Sequence, residues 1–205
     1  MNVTVAAPRI EHHRDPLGIG EAAPRISWRI SDAPTGWTQN SYRLLIERES
    51  GSRAHEVAGD DQVLVPWPES PLASRERAVV RVQIAGADGL WSDPSPARTV
   101  EAGLLEPTDW TARPVGARRL EPRESDERRP SLVRRSFTVD GEVVRARLYA
   151  SAHGLYEAEL NGRRVGDDTL SPGWTSYDSR LRYNTYDVTD LLAPGENAIG
   201  AWLGD

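Results

Sequence analysis

Apolar and polar residues alternate in short runs along this chain, and helical periodicity is nearly absent. Pro24–Ile30 reads as a strand with Ile26, Trp28 and Ile30 on one face. Tyr42–Ile46 places Tyr42, Leu44 and Ile46 together, and Ala78–Ile84 turns Val80, Val82 and Ile84 inward with Arg81 and Gln83 outward. Gly86-Ala87-Asp88-Gly89 closes that last strand with turn residues. Strands at this spacing predict an all-β sandwich of immunoglobulin size over residues 1–106. Residues 107–131 break the pattern. Their charged, proline-bearing run from Arg118 to Pro130 has almost no apolar residue and reads as a linker or a long surface loop.

Strands resume in residues 132–205. Ser136–Val139, Val144–Ala150 and Tyr156–Leu160 alternate, and Asn161-Gly162 then supplies the strongest short hairpin signal, since both residues tolerate the positive φ of a type I′ turn. Arg163–Val165 is the expected return strand, Tyr183–Val188 a further one, and Thr189 the expected cap of a short helical turn. Ala198–Leu203 is the last strand. With so few partners before it, the second sandwich reads as truncated. Its final strand is expected to be an unpaired apolar edge, and the second half the weaker of the two.

Composition narrows the chemistry. With 38% hydrophobic and 27% charged residues, the 205-residue chain has the make-up of a globular protein. A net charge of -6 argues against a nucleic-acid partner, and no apolar stretch has the length of a membrane helix. All 25 basic residues are Arg, which fits codon bias. The absence of Cys removes disulfides and thiolate metal sites. The first residues lack the basic and apolar segments of a secretory leader, which predicts a cytoplasmic location.

Several runs resemble the N-terminal region of bacterial α-L-rhamnosidases of glycoside hydrolase family 78. These are Glu11–Gly20 followed by Pro24–Trp28, then Gly89-Leu90-Trp91-Ser92-Asp93, and most densely Leu160–Asp167 with Leu170–Tyr177, continuing through Arg182–Thr189 to Gly195–Gly200. The Pro-Gly-Trp-Thr stretch at 172–175 is the specific part; Asn-Gly alone is weak. The resemblance implies a fibronectin type III-like β-sandwich followed by the start of a second β-sandwich domain. It also implies a parent enzyme that removes terminal α-L-rhamnosyl residues, with its acid and base on an (α/α)₆ barrel that these residues do not contain. That barrel is the implied partner, with no cofactor. Some relatives carry a calcium-dependent rhamnose-binding module where this chain has only its charged linker, which puts such a calcium site in doubt here.

Candidate chemistry within the chain is sparse. An inverting glycosidase needs two carboxyl groups about 6.5–9.5 Å apart. Asp167, Asp168, Asp178 and Asp187 are the candidates, and all four read more simply as turn or cap carboxylates. His12 and His13, being adjacent, are expected on opposite faces of an extended segment, and no His spacing suits zinc. Trp174, Tyr177, Tyr183 and Tyr186 form an aromatic-rich patch interleaved with Asp178 and Arg180. Trp174, Tyr177, Asp178 and Arg180 are therefore the candidate sugar-binding residues, because sugars stack on aromatic faces and pair their hydroxyls with charged groups. Core packing with inter-domain contact is the favoured alternative for the aromatics. Trp28 is expected in the sandwich core. The rival functions are a free-standing carbohydrate-binding module and a protein-interaction β-sandwich.

Overall fold

The computed structural model describes residues 3–116 and 130–204. The chain forms two compact units, Met1–Trp110 and Thr111–Asp205, and the charged centre of the expected linker lies outside the described residues. Among the described residues, the regular secondary structure of both units is strand apart from two short 3₁₀ turns.

Unit 1 contains β1 (Thr4–Val5), β2 (Arg9–Ile10), β3 (Leu17–Ile19), β4 (Ile26–Ser27), β5 (Ile30–Asp32), β6 (Ser41–Arg48), β7 (Gly51–Ala58), β8 (Arg77–Ala85) and β9 (Arg98–Ala102). Its main sheet runs β3-β9-β8-β6-β7, and two-stranded ribbons pair β1 with β5 and β2 with β4. The inward faces expected of β6 and β8 are buried. Tyr42, Leu44 and Ile46 stand opposite Ile84, Val82 and Val80, so each apolar side chain meets another directly across the ladder. Trp28 is only 3% exposed, and its indole Nε1 donates to Gln39 Oε1 at 3.1 Å. The Gln39 amide in turn donates to the carbonyls of Gly59 and Asp61. A buried indole thus satisfies its one donor.

Three features depart from the sequence reading of this unit. Pro24–Ile30 is two short strands, because Ile26 exchanges hydrogen bonds with Val65 while Trp28 N donates to Gln62 O. The strand β7 shows no apolar alternation and is nearly all exposed, as an edge strand can be. Glu11 has φ 47°, so His12 and His13 sit at a turn and their rings stack at 4.8 Å instead of diverging.

At one end of unit 1, Arg48 leaves β6 with its side chain 9% exposed and clamps the 69–76 loop. Its Nε and Nη2 reach the Glu76 carboxylate at 2.7 Å, and Nη1 reaches Glu69, Ser70 Oγ and the Ser70 carbonyl. This Arg48 fork holds the Glu76 carboxyl below the usual carboxylate range. Beyond β9, Pro107–Asp109 is a 3₁₀ turn whose Asp109 carboxylate bonds the Ser74 hydroxyl and accepts from Glu106 N, so this stretch is tied to unit 1.

Unit 2 contains β10 (Ser131–Val139), β11 (Arg147–Ala150), β12 (Leu155–Leu160), β13 (Arg163–Arg164), β14 (Asn184–Asp187) and β15 (Gly195–Gly204). One layer is a four-stranded sheet, β10-β15-β12-β13; the other is the β11–β14 pair. The Asn161-Gly162 hairpin forms as expected, with φ 52° and 75° and Leu160 opposite Arg163. The Asn161 side chain also reaches Asn197 Oδ1 and Leu191 O and accepts from Ala198 N, which fastens the hairpin to β15.

The expected unpaired edge at Ala198–Leu203 is wrong. β15 lies inside the sheet and pairs with β10 on one side and β12 on the other over most of its length. The outer edge belongs to β10, where consecutive Arg134 and Arg135 place a charge on each face. Thr189 does not cap its turn through its side chain; the preceding Val188 is the cap residue. Instead the Asp187 carboxylate accepts from Thr189 N at 3.0 Å and from its hydroxyl at 2.6 Å, and that hydroxyl accepts from Ala146 N.

Candidate functional site

The candidate sugar-binding residues lie on the 171–182 loop, between β13 and β14. Beneath it is a buried polar cluster. The Tyr156 and Tyr186 hydroxyls stand 3.2 Å apart, Ser171 Oγ is 3.2 Å from the Tyr186 hydroxyl, and Asn184 Nδ2 donates to that hydroxyl at 3.1 Å. Tyr156 N donates to Ser171 O, which anchors the start of the loop on β12. Burial, followed by the hydrogen bond with Tyr186, pushes the Tyr156 phenol far up, so it stays protonated and serves as a structural hydrogen-bonding group. Gly166, at φ +69°, permits this packing: a Cβ there would come within 2.6 Å of the Tyr186 ring.

The loop itself is pinned at several points. Gly173 N donates to Leu170 O, and Ser179 N and Arg180 N both donate to Ser176 O. Thr175 Oγ1 donates to Arg180 O at 3.0 Å, which brings the two sides of the reversal together next to Trp174. The Tyr177 hydroxyl accepts from Gly154 N at 3.1 Å while its ring lies 5.3 Å from that of His153. The Ser151 hydroxyl donates to Arg182 O.

The aromatic patch read from the sequence is therefore divided. Tyr186 belongs to the core cluster and Tyr183 is half-buried 6.1 Å from Tyr149. Tyr177 is half-buried and holds the loop. Trp174 is 83% exposed, and Asp178 and Arg180 are exposed beside it in sequence. The carboxylates do not converge on a common centre in their bonding. Asp168 receives Asn184 Nδ2 at 3.4 Å, whereas Asp187 is bound to Thr189 and to Arg147 at 2.8 Å. Burial raises the Asp187 carboxyl, but the Thr189 hydrogen bonds and Arg147 more than offset it and leave a net lowering. Among the described residues no His, Asp and Glu cluster is placed to hold a metal ion.

A second surface feature has no counterpart in the sequence reading. Pro130, Leu155, Leu170, Trp202 and Leu203 line an open depression of about 320 Å³, with Glu157 at its side. Trp202 is 48% exposed and stands opposite Leu132 on β10 and Glu157 on β12. The Glu157 carboxylate is engaged by Arg164 at 3.2 Å. Strand alternation alone does not separate the two faces here, since Ala198, Gly200 and Trp202 face outward while the inward Ile199 and Leu203 are equally apolar.

Comparison with known proteins covers both units. Residues 5–106 match the model of a Rha78A-like N-terminal immunoglobulin domain, and residues 141–205 match the α-L-rhamnosidase N-terminal domain. An α-L-rhamnosidase of Alteromonas sp. strain LOR is 34% identical over 201 residues, covering 91% of this chain and 22% of its own length. One from Formosa agariphila is 30% identical over 203 residues, covering 93% and 22%. The solved structure of an α-L-rhamnosidase from Aspergillus terreus is 45% identical with a TM-score of 0.87, covering 98% of this chain and 24% of that one. The chain thus spans about a quarter or less of the length of each of these three relatives.

Proposed function

Because the chain belongs to the α-L-rhamnosidases and matches their N-terminal region, we propose that it is the non-catalytic front of a longer enzyme that removes terminal α-L-rhamnosyl groups from glycosides. The observation that carries this reading is the near-complete match of both units to one quarter of the A. terreus enzyme. The scattered engagement of Asp168 and Asp187 supports it, since a glycosidase needs two carboxyl groups held across one sugar.

Its role in that enzyme is to pack against the remaining polypeptide, a catalytic (α/α)₆ barrel, and the depression beside Trp202 is the contact. Its lining is mostly apolar and its one charged group, Glu157, is already paired to Arg164, and depletion of charge marks the centre of protein–protein contacts.

Exchange of the matched quarter of the A. terreus enzyme for this chain tests both statements. The chimaera is expected to hydrolyse 4-nitrophenyl α-L-rhamnoside, and the chain alone to give no turnover above buffer. Trp202→Arg is expected to lower the melting temperature of the chimaera and leave that of the chain unchanged. Turnover by the chain alone that is lost in Asp178→Asn overturns the non-catalytic reading, and a chimaera indifferent to Trp202→Arg overturns the contact.

A further inference from the structure

We propose that the 171–182 loop is a sugar-contacting surface in which the Trp174 indole takes the apolar face of a terminal α-L-rhamnosyl ring and Asp178 and Arg180 bond its hydroxyls. The choice of rhamnosyl rests on the family reading; the site itself rests on the loop.

Unit 2 exposes two tryptophans, and their surroundings differ in kind. Trp202 sits among Leu132, Leu155 and Leu170, whereas Trp174 rises from Thr175, Ser176, Asp178, Ser179 and Arg180. Asp178 and Arg180 have exposed side chains with no ion-pair or hydrogen-bond partner among the described residues. A single exposed aromatic on a loop that also carries the unengaged Asp178 and Arg180 side chains is poor material for a protein contact, whose centre excludes charge. It suits a pyranose, which offers a face of C–H bonds for stacking and a rim of hydroxyls that donate and accept. A 6-deoxy sugar carries a methyl group in place of the hydroxymethyl group, extending its apolar surface.

The loop also satisfies the energetic requirement of a weak ligand, which cannot order its own site. The Thr175 hydroxyl bond to Arg180 O and the paired bonds to Ser176 O fix the reversal that carries Asp178. The Tyr177 hydroxyl fixes its midpoint on Gly154. At the base, Gly173 holds φ +92°, a conformation that L side chains rarely adopt, so glycine suits the turn next to Trp174. Nothing in that scaffold requires an exposed indole at 174.

The test is a titration of the ¹⁵N-labelled 205-residue chain with methyl α-L-rhamnopyranoside. The Trp174 indole N–H peak, identified by its loss in Trp174→Ala, is expected to shift and saturate in the millimolar range. Trp174→Ala is expected to abolish every saturable shift in the loop without changing the melting temperature, and Asp178→Asn and Arg180→Gln to weaken binding by about tenfold each. Methyl α-D-mannopyranoside, of opposite hand and with a hydroxymethyl group, is expected to bind more weakly. Absence of saturation, or saturation that survives Trp174→Ala, overturns the proposal. So does a chimaera with the A. terreus remainder whose melting temperature falls in Trp174→Ala while the chain shows no sugar-dependent shift; that result makes the loop a polypeptide contact. None of these outcomes alters the rhamnosidase activity expected of the chimaera, so the two readings fail separately.

Discussion

The two units face the same demand, burial of one face of a β-sheet, and meet it to different degrees. In unit 1 the β6 and β8 side chains interlock with Val5, Ile10, Ile19, Ile26, Trp28 and Val100 in a core from which water is almost excluded. In unit 2 the buried apolar set is Tyr156, Ala158, Leu160, Val165, Tyr186 and Val188, while Phe137, Leu148, Ile199 and Leu203 pack against it only partly buried. Layer width explains the difference. Neighbouring strands lie about 4.8 Å apart, so the β11–β14 pair spans only half of a four-stranded sheet. The exposed Arg135 on the inner face of β10 marks the side left open. Unit 2 makes up part of the deficit with hydrogen bonds. Its centre is a cluster of hydroxyls and amides, where unit 1 has hydrocarbon.

Substitutions that attack each device sharpen this contrast. The largest effect is expected from Trp28→Ala, which empties a closed core and should cost about 4 kcal/mol. Segment-resolved hydrogen exchange should show β6 and β8 losing protection while β12 and β15 keep theirs; equal loss in both units would mean that they do not unfold separately. Next is Arg48→Ala, which leaves Glu69 and Glu76 without their shared cation and should cost unit 1 about 3 kcal/mol. This contribution depends on pH with a definite sign. The Glu76 carboxyl is lowered in the folded state by Arg48, so its share of stability is present above the ordinary carboxylate value of about 4.3 and disappears as pH falls through the folded value. Denaturant midpoints of the parent and of Arg48→Ala should therefore converge in acid, and midpoints that stay apart would assign Arg48 a packing role instead.

Smaller effects are expected in unit 2. Gly162→Val meets no neighbouring atom and is opposed only by its positive φ of 75°, at a cost of about 2 kcal/mol. The loss should be confined to β12, β13 and β15, and an unchanged melting profile would show that the hairpin does not set their register. Tyr186→Phe removes the hydroxyl that meets Tyr156, Ser171 and Asn184 and should cost about 1 kcal/mol. If it costs no more than an exposed substitution such as Val144→Ala, the polar cluster contributes nothing and unit 2 rests on hydrocarbon as unit 1 does.

Legibility in the sequence follows the same division. β6 and β8 were evident because one face of each is buried and the other is not, which is the condition for alternation. Asn161-Gly162 was evident because its turn geometry excludes most other residues. β7 escaped detection because an exposed edge places no demand on side-chain polarity. The position of β15 could not be read either. Its apolar composition identifies a strand, but sheet order is decided by pairing between distant segments. At the candidate site, the residue types of 174–180 pointed to sugar chemistry, while the removal of Tyr186 to the core depended on packing that no local spacing encodes.

The central place of β15 also governs how unit 2 is made. Ser131 pairs with Leu203, and Leu155 with Gly204. On the ribosome, β10 and β12 emerge well before the strand that joins them, and each must wait with an open edge until β15 is released. Contacts so distant in sequence favour slow folding, and waiting edges are open to the wrong partner. Arg134 and Arg135 on β10 then serve a kinetic purpose as well, since like charges discourage two nascent chains from pairing before their own β15 arrives.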